Sequence, residues 1–240
     1  MGEPGDVAAV LRAAGTRWTT LRGVMRHRRR HDLVTVGFER HFAASAASGT
    51  GWRVDRTSET AVDAALDDRS VIEAVLAVAA DRDGRRRVEA LSRQGDEWLA
   101  DLVVVDGPTW WARTGDGVLT NDGDATFRHG GTEELDLLTP DRVPLGYDLV
   151  PASDVDVVAG RSCTIVIATP RATPVGAGLP GSEVFGMIAG GDQFRLSVDR
   201  DTGVLLRVVK LVDDSEAETV EFLEIAVDGP LPQELFAGLT

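Results

Sequence analysis

The fold is decided by residues 192–227, DQFRLSVDRDTGVLLRVVKLVDDSEAETVEFLEIAV. From Asp192 to Asp199 the chain alternates, with Phe194, Leu196 and Val198 on one side and Gln193, Arg195 and Ser197 on the other. That period of two is a strand signal. The segment from Arg200 to Gly203 carries turn residues, and Gly203 is free to take positive φ. Val204 to Val212 reads as a second strand, Asp213 to Glu216 as a turn, and Glu218 to Val227 as a third strand. Short turns between strands predict an antiparallel meander.

The same pattern extends outward. Val88 to Ser92, Trp98 to Val105 and Thr109 to Arg113 are strand-like, separated by Gln94-Gly95-Asp96 and by the hairpin signal Asp106-Gly107. Val155 to Thr169 is β-branched and breaks only at Ala159-Gly160, and Thr16 to Arg28 reads as a long strand near the start. Roughly eight or more strands are in view. Helix signals are fewer: Asp6 to Ala14, the Ala-rich stretch Thr60 to Ala80, and Thr132 to Leu138, stopped by Pro140. Ala172 to Gly191, rich in Gly and Pro, reads as a loop, and no linker divides the 240 residues, so one domain is expected.

Both faces of the late strands are apolar. Val204, Leu206 and Val208 oppose Leu205, Val209 and Leu211, while Leu223, Ile225 and Val227 oppose Val220 and Phe222. Antiparallel sheets more often keep one polar face. Such a sheet needs cover on both sides, from helices or from an apolar ligand in a groove. The adjacent tryptophans Trp110 and Trp111 point to opposite faces, so one of them can line that groove. The candidate ligand wall is Trp110 or Trp111 with Phe194, Leu196 and Val198, and Leu205, Val209 and Leu211.

Composition narrows the function. The formal charge is −14, from 39 acids against 25 bases, which disfavours nucleic acid as a partner. Apolar runs stop far short of the ~20 residues of a membrane helix. The start, MGEPGDVAAVL, has acids where a signal peptide carries bases, so a cytoplasmic chain is expected, with a trimmed exported form as the alternative. The single cysteine, Cys163, alternates with Ile165 and Ile167 and reads as a buried small hydrophobe. In His27-Arg-Arg-Arg-His31 three arginines repel a cation, and this basic cluster faces either an anion or the chain's own acids. The acid-rich stretches Asp116 to Asp124 and Asp199 to Gly203 lack calcium-loop spacing and read as hairpin turns. His129 is a lone loop histidine. No metal, cofactor or catalytic residue is assigned.

Three stretches resemble the LolA/LppX-like superfamily. They are VDGPTWWA (105–112) with ELDLLTP (134–140), then VAGRSC (158–163) with LSVDRDTGVLLR (196–207), and last FLEIAVDGPLPQELF (222–236). The resemblance spans roughly residues 85–236. It implies an α+β fold, an incompletely closed antiparallel β-barrel with helices on the concave side and an apolar cavity between them. Members of this group carry lipid chains, as LolA and LppX do, or regulate signalling through a partner, as the RseB N-terminal domain does. The VioE enzyme shares the architecture. A non-catalytic binding module for a lipid or acyl chain, or for a protein partner, is therefore expected. A VioE-like enzyme acting on an apolar intermediate is the alternative.

Overall fold

The computed structural model describes residues 6–47, 71–94, 97–114, 117–121, 136–171 and 190–238. Among them lies one antiparallel sheet of eleven strands. These are β1 (Thr20–Arg30), β2 (Val71–Asp81), β3 (Arg86–Gln94), β4 (Glu97–Asp106), β5 (Thr109–Thr114) and β6 (Gly117–Thr120). Then follow β7 (Tyr147–Val158), β8 (Arg161–Pro170), β9 (Gln193–Asp199), β10 (Leu205–Val212) and β11 (Ser215–Val227). The spatial order is β6-β5-β4-β3-β2-β1-β11-β10-β9-β8-β7. Two meanders, β2 to β6 and β7 to β11, are joined by β1, which pairs with β2 on one side and β11 on the other. β6 and β7 are the edges and do not pair, so the sheet is an incompletely closed barrel.

The turns explain why these strands are hairpins. β7 and β8 meet at Ala159 (φ 50°) and Gly160 (φ 75°), and β10 and β11 at Asp213 (φ 49°) and Asp214 (φ 59°). Two successive residues at positive φ twist a two-residue turn in the sense of the strands it joins. The DRDTG segment is held by Asp199, whose carboxylate accepts from Arg161 Nη2 (2.9 Å) and from the Thr202 hydroxyl.

α1 (Val7–Ala13) is capped by Asp6, whose side chain accepts from the Ala9 N–H at 3.2 Å. α1 buries Leu11 in the main core, with Leu21 and Met25 of β1, Leu76 and Val78 of β2, and Phe194 and Leu196 of β9. α3 (Val143–Gly146) adds Val143 to that core. This is the helix face of the sheet. α2 (His31–Ala47) follows β1 directly and packs Leu33 and Val34 on Val212 and Ala217. Gly37 permits that approach, since a Cβ there would lie 2.3 Å from the Gly190 carbonyl oxygen. Among the described residues no helix is long and apolar enough to cross a membrane.

Two expectations need correction. The Ala-rich stretch read as helix is strand β2 from Val71 onward, while residues 60–70 lie outside the described residues. Ile72, Ala74, Leu76, Val78 and Ala80 form one face of that strand, and pairing with β1 and β3 overrides alanine's helix propensity. β1 begins at Thr20 rather than Thr16, because a 3-10 turn at Ala14–Thr16 links it to α1. α2 lies over residues for which the sequence suggested no element. Of Thr132 to Leu138 only 136–138 is described, and its turn is closed by the Thr139 N–H on the Asp136 carbonyl (3.2 Å) with Leu137 and Leu138 buried. Pro140 opens a 3-10 turn, Pro140–Arg142. The Ala172 to Gly191 loop lies outside the described residues up to 189.

Candidate functional site

Strand register builds a trough on the outer face of the sheet, the face turned away from α1. One row across β3, β2, β1 and β11 is Arg87, Ala79, Arg22 and Ala226. Two residues along, the next row is Glu89, Ala77, Val24 and Glu224. Side chains at i and i+2 of a strand share a face, so all eight point outward together. Ala77 and Ala79 offer only methyl groups between the long side chains of β3 and β1. A depression therefore runs over β2.

The C-terminal segment covers one end of it. After β11 the chain turns at Asp228 (φ 58°), whose carboxylate accepts from the Thr19 N–H (2.6 Å) and the Thr19 hydroxyl (2.7 Å). Those two bonds hold the Asp228 carboxyl below its ordinary range. The Thr20 hydroxyl donates to the Gly229 carbonyl (2.6 Å). The strap then lays Leu231, Leu235 and Phe236 on Ala79, Leu102, Val104 and Trp111. The Arg85 guanidinium sits 4.9 Å from the centre of the Phe236 ring and is itself held by Asp81 (2.6 Å). Arg87 donates to the Leu235 carbonyl (3.3 Å) and to Glu89 (3.2 Å). Beside Leu235 a cavity of about 470 Å³ stays open over the two rows. That volume falls in the usual range for ligand sites.

The expected wall residues fall in several places. Trp110 is buried on the helix face with Val103 and Ala112, and its backbone N–H donates to Asn121 Oδ1 at 3.0 Å. Trp111 is half-buried on the outer face beneath the strap, with Gly238 so near that a Cβ there would lie 2.8 Å from the indole. Phe194, Leu196, Val198 and Leu205 are buried on the helix face, and the Phe194 ring meets Tyr147 edge to face at 5.3 Å. Val209 and Leu211 lie on the opposite face from Leu205, because a bulge between Leu205 and Arg207 reverses the alternation. Of the eight, Trp111 shares a cluster with Leu235, which lines the cavity.

The basic stretch after Met25 mostly meets the chain's own acids. Glu221 takes Arg26 (Nε at 3.1 Å) and Arg207 (2.8 Å), while Arg30 pairs with Asp32 at 2.7 Å. Burial pushes the Glu221 carboxyl up, yet the two guanidinium groups bring it below its ordinary value. Arg207 also reaches Asp156 (2.9 Å), which accepts from the Ser197 hydroxyl (2.8 Å). On the helix face Glu218 holds His27 Nε2 at 2.7 Å and Lys210 Nζ at 3.0 Å. Burial pushes the Glu218 carboxyl up, but His27 and Lys210 together hold it below its ordinary range. Cys163 is fully buried, and burial pushes its thiol up to about 11, far from the reactive range. Among the described residues no group of three His, Cys, Asp or Glu side chains is placed to hold a metal. His129 lies outside the described residues, as does most of Asp116 to Asp124 beyond β6.

The register of the trough is invisible in sequence. Arg22 and Arg87 are far apart in the chain, and only pairing through β2 makes them neighbours. The available signal was weak: two small residues two apart, Ala77 and Ala79, in a strand with long polar residues on both flanks.

No family model and no curated protein matches the chain. Among solved structures, the chain is similar to MucB in the Pseudomonas aeruginosa MucA/MucB complex, with 19% identity and a TM-score of 0.49 over 97% of this chain and 60% of that one. It thus spans less than two thirds of the MucB chain. It is also similar to LprF from Mycobacterium bovis, with 13% identity and a TM-score of 0.43 over 96% of this chain and 97% of that one. A third is a LolA superfamily protein from Nitrosomonas europaea, with 8% identity and a TM-score of 0.37 over 99% and 98%. The fold itself rests on the sheet order: among the described residues, an unclosed antiparallel sheet of eleven strands with few helices, the LolA-like layout that the sequence resemblance implies.

Proposed function

We propose that the chain is a non-catalytic binding module that holds an apolar ligand, a lipid or acyl chain, against its sheet. The observation that carries this reading is the cavity of about 470 Å³ on the outer face, floored by Ala77, Ala79, Val24 and Ala226 and walled by Leu235. A floor of methyl groups has little to offer a polar substrate, whereas an apolar chain leaving water for it gains about 25 cal/mol per Å² buried. The rim of charged side chains keeps the empty site wettable. The groups that surround it, guanidinium and carboxylate, position a ligand and supply no activated nucleophile.

Titration with a fluorescent fatty acid tests this reading, using wild type and Ala77→Trp. Ala77 is exposed, so the larger side chain fills the trough without entering the core. Wild type is expected to bind saturably. The variant should bind about tenfold more weakly or not at all, a loss of ~1.4 kcal/mol, with unchanged circular dichroism. Equal binding by the two proteins, or none by wild type, overturns the proposal.

A further inference from the structure

We infer that the ligand of this trough is a zwitterionic amphiphile, with its anionic group between Arg22 and Arg87 and its cationic group between Glu89 and Glu224. The inference rests on the trough being the binding site and adds the charge pattern of what binds there. The two rows carry opposite signs. In the first, Arg22 and Arg87 flank Ala79 from β1 and β3. In the second, Glu89 flanks Ala77 from β3 and Glu224 follows Val24 on β11. Both rows line the same cavity. They lie two strand residues apart, about 7 Å along β2.

This spacing disfavours singly charged ligands. An anion between Arg22 and Arg87 meets two guanidinium groups, which suit the oxygens of a phosphate or carboxylate. It also feels two carboxylates one row away, which repel it unless a cation lies between. A ligand with only a positive charge meets the reverse problem. A head group with both charges a few ångströms apart satisfies both rows, as in a phosphodiester bearing an ammonium group. Arg87 is already engaged by Glu89 and by the Leu235 carbonyl. Among the described residues no ion pair holds Arg22 or Glu224, and both are exposed on the rim. The apolar part of the ligand extends from the two rows along Leu235.

Calorimetric titration with three monomeric surfactants of one chain length tests this. Dodecylphosphocholine carries both charges, dodecanoate only the negative one and dodecyltrimethylammonium only the positive one. Dodecylphosphocholine is expected to bind most tightly. Arg22→Gln should weaken it about fivefold, as should Glu224→Gln, in line with charges at a solvated rim. Glu224→Gln should at the same time strengthen dodecanoate. All three binding equally, each displaced by Ala77→Trp, leaves the trough as the site and overturns the zwitterion. A loss of dodecanoate binding in Glu224→Gln also overturns it. No binding of any of the three overturns both the inference and the site beneath it.

Discussion

Lys210 shows what a residue pattern conceals. In VLLRVVKLV it is, with Arg207, one of two charges on an otherwise apolar strand. The structure leaves it 1% exposed, with its ammonium on Glu218 and Glu218 also on His27. These three residues come from β10, β11 and β1, so no local signal links them. Removing one partner of a buried pair strands the other charge. Lys210→Met is expected to cost about 3 kcal/mol in urea unfolding. The pH dependence follows from the depressed carboxyl of Glu218. Its stabilisation is present above the ordinary 4.5 and is lost as pH falls through the lower folded value. Unfolding measured from neutral pH down through that range should show this loss in wild type. It should be smaller in Lys210→Met/Glu218→Gln, and an identical loss in both would show that Glu218 is not its source. Cys163 is the opposite case: its alternation with Ile165 and Ile167 announced a buried thiol, and it is one.

At the scale of elements, hairpins were legible and long-range partners were not. β3, β4, β5, β9, β10 and β11 follow from alternation bounded by turn residues, because those signals are local. β2 was lost to its alanines, since composition alone does not separate a helix from a strand held by two neighbours. The strap is a further case. DGPLPQELF carries the resemblance, but that its apolar residues cover Trp111 depends on β11 ending beside β2 across β1. Phe236 is 3% exposed and anchors that cover. Phe236→Ala is expected to cost up to ~3 kcal/mol and to loosen the strap. The check is acrylamide quenching: the variant should expose one tryptophan more than wild type, and the increment should vanish when Trp111 is also Phe. Quenching equal to that of wild type would mean that the strap stays docked without the ring.

At the scale of the whole molecule, apolar side chains on both faces implied cover on both, and over β2, β4 and β5 the outer cover is the strap. The helix face is covered by α1, α3 and the turns near Pro140. The sequence could not show the trough of the outer face, because it depends on register across four strands. The reading made from strand faces favoured a wall with Phe194, Leu196 and Val198, whereas the cavity proposed as the site lies over Ala77 and Ala79 on the other side. Backbone amide shifts recorded during titration with monomeric dodecylphosphocholine separate the two most directly. The account predicts saturable shifts concentrated at Arg22 to Val24, Ala77 to Ala79 and Glu224 to Ala226, with Tyr147 and Phe194 to Val198 unmoved. Shifts confined to Tyr147 and Phe194 to Val198, with the trough silent, would contradict it.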